Sequence, residues 1–120
     1  MPAKIFTREE LALFARRVHQ TARDKGWWKV EDDRCVFEDG DLEEKLFLIV
    51  TELAEAFEQW RDSSIAPNFI YYSIPHASGE ARRALVSETP LSDSAKPEGL
   101  PVELADAYIR ILDLMGALEF

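Results

Sequence analysis

The chain has 120 residues, of which 47% are hydrophobic and 31% are charged, and its formal net charge is −9. This length fits a single domain over residues 1–120, with a core large enough to fold without disulfides or a structural metal. The acidic charge repels polyanions and therefore argues against nucleic acid as a partner.

The first predicted helix covers residues 8–25. Thr7 is placed to cap it, and Glu10 stands three residues later, where the partner of a capping box belongs. Gly26 follows the helix as a C-terminal glycine should. The residues from Trp27 to Gly40 are then predicted to form a connector.

The second predicted helix covers residues 42–61, with Asp41 as its cap and Glu44 as the capping-box partner. Apolar residues occupy more than one side of this helix. They include Leu46, Phe47, Ile49, Val50, Leu53, Ala54, Phe57 and Trp60. A helix of this kind is buried on several sides, which in so short a chain predicts a helical bundle completed by oligomerisation.

Residues 61–99 are predicted to form a long loop that could act as a lid, since loops longer than about 15 residues usually have a function or are disordered. The stretch 62–98 contains four prolines, and a short helix is predicted near residues 80–86. The last predicted helix covers residues 101–116 and begins at Pro101, a favourable first-turn residue. No stretch alternates clearly between apolar and polar residues, so the predicted fold class is all-α.

Two similar phrases stand out within the apolar helices: "ELAE" at residues 52–55 and "ELAD" at residues 103–106. Residues three apart on a helix lie on one face, one turn along. Each phrase therefore places two acids on one face of its helix. Burying these acids unpaired would cost several kcal/mol or raise their pKa values, so they must face solvent, pair with Arg or Lys, or hold cations.

If the second and last helices pack side by side, four carboxylates converge. These are the acids of Glu52, Glu55, Glu103 and Asp106. Such a set of hard oxygen ligands suits Mg²⁺ or Mn²⁺ and implies hydrolysis of a phosphoanhydride, with metal ions that bridge phosphate oxygens. The competing interpretation is a pair of ordinary solvated faces. A di-iron bundle is disfavoured because neither His19 nor His76 follows a glutamate at the required spacing.

Several other side chains are candidates for contacts with a substrate. Lys96 could meet a phosphate as a point charge, and Arg110 could touch substrate or offset the carboxylates. Trp28 and Trp60 could stack on a base, and His19 could line the pocket for that base. For each of these residues the alternative is structural: a solvated loop lysine, an ion pair, core or interface packing, or a satisfied histidine.

Two segments of the sequence resemble the MazG-like family of all-α nucleoside triphosphate pyrophosphohydrolases. They are "TELAEAFEQWR" and "KPEGLPVELADAYIRILDLMG", and a long loop separates them. The family's ExxE and ExxD helices are matched by residues 52–55 and 103–106, and the resemblance covers roughly residues 10–116. Relatives usually continue into a further helix and a basic tail, whereas this sequence ends at "GALEF".

The resemblance implies an Mg²⁺-dependent hydrolase that converts a nucleoside triphosphate, or its deoxy form, to the monophosphate and pyrophosphate and so removes unwanted nucleotides. It implies that all four acids bind metal, that Glu52 and Glu55 take part in catalysis, and that the enzyme is a homodimer or homotetramer. Two alternatives stay open. One is a non-catalytic oligomeric interaction module, and the other is the same fold acting on a diphosphate or an alarmone-type nucleotide.

The remaining sequence features predict a cytoplasmic protein without a membrane partner. Cys35 is the only cysteine, which excludes an intrachain disulfide and is typical of a reducing compartment. The N-terminal ten residues lack the apolar core of a signal peptide. No apolar run approaches the ~18 residues that are needed to span a bilayer.

Overall fold

The computed structural model describes residues 6–62, 66–75, 83–87, 93 and 95–120. It contains three helices, α1 (Arg8–Asp24), α2 (Asp41–Arg61) and α3 (Leu100–Ala117). It also contains five short strands, β1 (Val30–Glu31), β2 (Arg34–Cys35), β3 (Tyr71–Pro75), β4 (Arg83–Ser87) and β5 (Lys96–Glu98). The fold is therefore mostly helical, as predicted, but the expectation of a chain without strands is wrong.

The chain divides into two compact units. The first comprises residues 1–49 and 108–120, and the second comprises residues 50–107. Both α2 and α3 contribute residues to each unit. The prediction of a single domain stays a prediction.

Helix α1 has the predicted N-terminal cap. The Thr7 hydroxyl accepts the backbone N–H of Glu10 at 3.1 Å, and the Glu10 carboxylate accepts the backbone N–H of Thr7 at 2.8 Å. Two of the N–H groups that a helix start leaves unpaired are thereby satisfied. The helix ends at Asp24 with Lys25 as its C-cap, and Gly26 follows with a φ of 79°.

The predicted connector between α1 and α2 contains a hairpin instead. Strands β1 and β2 pair antiparallel, with Glu31 opposite Arg34. Asp32 and Asp33 form the two-residue turn and have φ angles of 49° and 61°. Positive φ at both central residues is the geometry of a type I′ turn, which Asp tolerates better than most residues. The hairpin is too short to show the alternation by which a strand is recognised in a sequence.

A small core in the first unit brings together residues from α1, the hairpin segment and α3. It consists of Ala22, Trp28, Leu114 and Ala117, with Cys35 and Ile49 packed against it. Gly116 allows α3 to approach α1 closely, because a Cβ atom at this position would lie 2.5 Å from the Cβ atom of His19. This close approach places His19 beside the C-terminal half of α3.

Helix α2 begins one residue earlier than predicted, and the predicted capping role of Asp41 is wrong. Asp41 is the first residue of the helix, and its carboxylate accepts the N–H of Glu38 at 2.7 Å. Gly40, which precedes the helix with a φ of 93°, uses its carbonyl to accept the N–H of Glu44 at 2.9 Å. Glycine at this position permits a positive φ that aspartate would strain to adopt.

A row of large apolar side chains along α2 remains exposed in the single chain. These residues are Leu46, Phe47, Val50, Leu53, Phe57 and Trp60. In one copy of the chain this helix is therefore not buried on several sides, although the sequence predicts that it is.

None of the helices in the described residues is long and apolar enough to cross a bilayer.

The predicted long loop over residues 61–99 contains a three-stranded antiparallel sheet with strand order β4-β3-β5. The short helix predicted near residues 80–86 is wrong for residues 83–86, which belong to β4; residues 80–82 lie outside the described residues. Tyr71 on β3 is fully buried, and its hydroxyl donates to the side-chain oxygen of Gln59 on α2 at 3.1 Å. The lid function stays a prediction.

Helix α3 begins at Leu100, next to a glycine that the structure requires. Gly99 has a φ of 123°, and a Cβ atom there would lie 2.5 Å from the carbonyl oxygen of Phe69. The Gly99 carbonyl accepts the N–H groups of Val102 and Glu103, both at 3.1 Å. The close approach of two backbone segments thus determines where the first turn of α3, and Glu103 with it, is placed.

Replacing Gly99 by alanine is expected to lower the free energy of unfolding by about 2 kcal/mol or more, because strain and a backbone clash add. Urea denaturation measures this loss. Gly26→Ala is the matched control, since Gly26 has a positive φ but open space around its Cβ position. Equal losses in the two variants would contradict the role given to the contact with Phe69.

Candidate metal centre

Three acids from two helices meet in the second unit. Glu52 and Glu55 lie on α2, and Glu103 lies in the first turn of α3. One carboxylate oxygen from each residue lies within 4.8 Å of the other two. The predicted convergence of acids from these two helices is therefore confirmed for three of the four residues.

The three carboxylates differ in their exposure. Glu103 is only 8% exposed, Glu52 is partly buried, and Glu55 is exposed. The alternative of ordinary solvated faces therefore does not describe Glu103. The site opens to solvent on the side of Glu55, which leaves it accessible to an ion or a substrate.

Burial and neighbouring acids together perturb the titration of Glu103. The pKa of Glu103 is raised from 4.5 to about 7 by desolvation, which is the largest cause, together with a hydrogen bond with Glu55 and the charges of Glu55, Asp106 and Glu52. The protonated form of Glu103 donates this hydrogen bond to Glu55. Like charges at such distances oppose ionisation of the whole set unless a cation compensates them.

Asp106, the fourth predicted ligand, is half-buried on α3 one turn after Glu103. It is not one of the three acids that converge, although its charge contributes to the raised pKa of Glu103. The structure thus places Asp106 near the cluster, in a position set by the i, i+3 spacing.

The donor set fits a hard divalent cation. All three converging ligands are carboxylates, which Mg²⁺ and Mn²⁺ prefer over nitrogen or sulfur ligands. The raised pKa of Glu103 shows that the metal-free arrangement cannot easily keep every acid ionised. A bound cation would remove that conflict, which is the structural reason to regard the cluster as a candidate metal centre.

Two of the candidate substrate residues lie in the second unit, as the acids do. Lys96 is exposed at the start of β5, opposite Ser73 of β3. Trp60 is 59% exposed near the end of α2. Neither side chain packs in the core of the described residues, so both stay candidates for contacts with a substrate or with a second copy of the chain.

The other three candidates lie in the first unit. Trp28 and Arg110 line one cavity of about 420 Å³, and the Lys45 ammonium group lies 4.3 Å from the centre of the Trp28 ring. His19 and Trp28 meet edge to face, with ring centres 5.2 Å apart. Both rings are buried, which favours a structural role for them or a role in lining a deep pocket.

Sequence reasoning missed Asp113, the residue that organises this part of the first unit. The Asp113 carboxylate, only 6% exposed, accepts the indole N–H of Trp28 at 2.8 Å and lies 2.8 Å from Nδ1 of His19. An acid within the apolar stretch "ILDLMG" is the signal that could have revealed it. The partners of Asp113 are 94 and 85 residues away in the chain, and no local pattern identifies them.

Comparisons of this chain with protein-family models, with curated proteins and with solved structures find no match. The residues and their geometry are therefore the basis for proposing a function.

Proposed function

We propose that the protein is a MazG-like, Mg²⁺-dependent hydrolase that converts a nucleoside triphosphate or its deoxy form to the monophosphate and pyrophosphate. The observation that carries this proposal is the cluster of Glu52, Glu55 and Glu103, whose carboxylate oxygens lie within 4.8 Å of one another. The resemblance of "ELAE" and "ELAD" to the family's two metal-binding helices supports the same conclusion.

In this proposal Glu52, Glu55, Glu103 and Asp106 hold the metal. A bound Mg²⁺ or Mn²⁺ supplies positive charge for phosphate oxygens and lowers the pKa of a coordinated water. Glu103 must release its proton before it can serve as a full carboxylate ligand, because its pKa lies near 7 in the metal-free protein. Glu52 and Glu55 orient the attacking water and accept its proton.

Contacts with the nucleotide are assigned from charge and ring chemistry. Lys96 is exposed and able to meet a phosphate as a point charge. In the second unit Trp60 offers an exposed ring face to the base. The alternative position for the base is in the first unit, where the cavity that Trp28 and Arg110 line offers an indole beside a guanidinium group. His19 is proposed to support the base pocket through its edge-to-face contact with Trp28.

We also propose that the protein works as a homodimer or homotetramer in the cytoplasm. The exposed apolar row on α2, from Leu46 to Trp60, supports association, because large contiguous apolar surfaces usually mark an interface. The same row favours the second candidate function, an oligomeric helical module without catalysis. The two candidates differ in whether the carboxylate cluster binds a metal and turns over a substrate.

An assay that measures both pyrophosphate and phosphate release across a panel of nucleotides tests the proposed function, because hydrolysis of a diphosphate releases phosphate. The panel contains ribo- and deoxynucleoside triphosphates, diphosphates and an alarmone-type nucleotide, each with Mg²⁺ and with a chelator. We expect Mg²⁺-dependent release of pyrophosphate from one or more triphosphates. Cleavage of only a diphosphate or an alarmone would change the substrate, and no turnover by a folded oligomer would favour the module.

A further inference from the structure

The first unit contains a second cluster of reactive side chains, formed by Cys35, His19 and Asp113. The proposed hydrolysis assigns only the edge-to-face contact of His19 with Trp28 and gives no role to Cys35 or Asp113. Cys35 is half-buried, and its Sγ atom lies 3.2 Å from Nε2 of His19. The other ring nitrogen of His19, Nδ1, lies 2.8 Å from a carboxylate oxygen of Asp113. The order thiol, imidazole, carboxylate is that of an activated nucleophile.

The surroundings of Asp113 determine which ring nitrogen of His19 carries the proton. The Asp113 carboxylate is a pure acceptor that also receives the indole N–H of Trp28, at 2.8 and 3.0 Å to its two oxygens. His19 Nδ1 must therefore be the donor in its bond with Asp113, and Nε2 of the neutral ring keeps its lone pair for the thiol proton of Cys35. His19 and Asp113 are both more than nine-tenths buried, so this orientation is held by packing.

The thiol depends on His19 for its activation. Burial raises the pKa of Cys35 above its ordinary value of 9.0; the charge of Asp113 raises it further, while those of Arg23 and Lys45 oppose the rise. Little free thiolate is therefore present at neutral pH, and the thiolate is the form that reacts. A base in contact with the S–H group is needed, and Nε2 of His19 occupies that position.

A cavity of about 660 Å³ adjoins the thiol, and its charge differs from that of the whole chain. Its lining includes Cys35 and His19 together with three arginines and two acids, namely Arg16, Arg23, Arg34, Asp33 and Glu119. One Nη atom of Arg23 donates to Asp33 at 3.0 Å, whereas its buried Nε–H has no acceptor among the described residues. The lining is thus net positive within a chain of net charge −9.

We propose that Cys35 is a site of thiol–disulfide exchange for small disulfides that carry carboxylate groups. The Cys35 sulfur attacks one sulfur of the disulfide, a new S–S bond forms, and the original S–S bond breaks with its electron pair on the leaving sulfur. The proton of Cys35 passes to Nε2 of His19 and then to the leaving thiolate. The products are a mixed disulfide at Cys35 and a free thiol, so the bound disulfide is the oxidant and no other is required.

Disulfide exchange fits this site better than acyl transfer does. Acyl transfer draws much of its rate from donors aimed at a developing oxyanion. In disulfide exchange the electron pair goes to sulfur, so a thiol, a base and room for the second half of the disulfide are sufficient. The arginines of the lining then favour a disulfide whose second half carries negative charge, such as a carboxylate group.

The test compares two disulfides of opposite charge, glutathione disulfide and cystamine. The rate at which each forms a mixed disulfide with the chain is measured by intact-mass spectrometry. In urea the unfolded chain is expected to react faster with the cation cystamine, because its net charge is −9. The folded chain is expected to reverse this preference and to react about tenfold faster with glutathione disulfide. A folded chain that prefers cystamine, or shows no preference, would overturn the proposal.

Three substitutions locate the effect. Arg34→Gln should slow the reaction with glutathione disulfide about fivefold and should not slow the reaction with cystamine, since it removes a charge that repels this cation. Arg17→Gln, an exposed arginine of α1 outside the cavity lining, is the control and should change neither rate. His19→Gln should slow both reactions about tenfold or more, with a melting curve to show that it folds. If His19→Gln does not fold, the rates of the wild type and of Arg34→Gln with the two disulfides still test the proposal. Equal effects of Arg34→Gln and Arg17→Gln on these rates would contradict it.

Discussion

Replacing Glu52 by glutamine should lower Mg²⁺-dependent pyrophosphate release by a factor of about 10³. The substitution keeps the length and shape of the side chain but removes one of the three charges that converge within 4.8 Å. Loss of a single preorganised hydrogen-bond donor at a reacting centre lowers the rate by about 10²–10³. Loss of a metal ligand also weakens binding of the metal, which adds to the effect. A steady-state assay at saturating Mg²⁺ measures the change.

The matched control for this variant is Glu58→Gln. Glu58 lies on the same helix and is exposed, and it is not one of the converging acids. The two substitutions change the net charge equally, so a general effect of charge cancels in the comparison. The assignment of Glu52 would be wrong if the two variants lost activity to the same extent while both stayed folded.

Glu103→Gln is expected to make the metal-free protein more stable than the wild type above pH 7, by up to about 3 kcal/mol. The pKa of Glu103 is about 7 in the folded chain against 4.5 for an ordinary glutamate. The folded state therefore holds an extra proton between these values. The stability that this proton provides is complete below pH 4.5 and is lost as the pH rises to about 7.

The glutamine side chain imitates the protonated acid, because its amide can donate a hydrogen bond to Glu55 at every pH. Chemical denaturation with a chelator, from pH 4.5 to 8, measures the difference between wild type and variant. Acids outside the cluster titrate equally in both proteins, so the difference curve reports on Glu103 together with the acids whose charges it feels. We expect a curve near zero at pH 4.5 that rises in favour of the variant up to about pH 7. A flat curve would show that Glu103 is not perturbed.

Addition of Mg²⁺ should reverse this ranking. A cation that binds only the folded state stabilises it by mass action, and it favours the ionised form of its ligands. The wild type is therefore expected to gain stability with Mg²⁺ at pH 8, and Glu103→Gln is expected to gain much less.

Local patterns predicted the helices and the acid pairs well. The Thr7–Glu10 capping box, Gly26 and the i, i+3 acids are features of short sequence range, and the structure contains each of them. The start of α2 was misplaced by one residue because Gly40 ends the preceding segment with a positive φ, which left Asp41 inside the helix.

The features that the sequence did not reveal depend on pairing between distant residues. Strands β3 and β5 are joined in a sheet although Tyr71 and Glu98 stand far apart in the chain, and neither strand is long enough to show an alternating pattern. The contacts among Asp113, His19 and Cys35 likewise join α3, α1 and the hairpin. Such contacts follow from tertiary packing and cannot be derived from spacing alone.

The proposed hydrolysis requires that the acids of α2 and α3 share a divalent cation. Titration of Mn²⁺ followed by electron paramagnetic resonance tests it most directly, because the signal of the free ion falls as the ion binds. We expect the wild type to bind Mn²⁺ in competition with Mg²⁺, Glu52→Gln and Glu103→Gln to bind about tenfold more weakly or worse, and Glu58→Gln to bind as the wild type does. A folded wild-type protein that leaves the Mn²⁺ signal unchanged, or variants that all bind equally, would contradict the account.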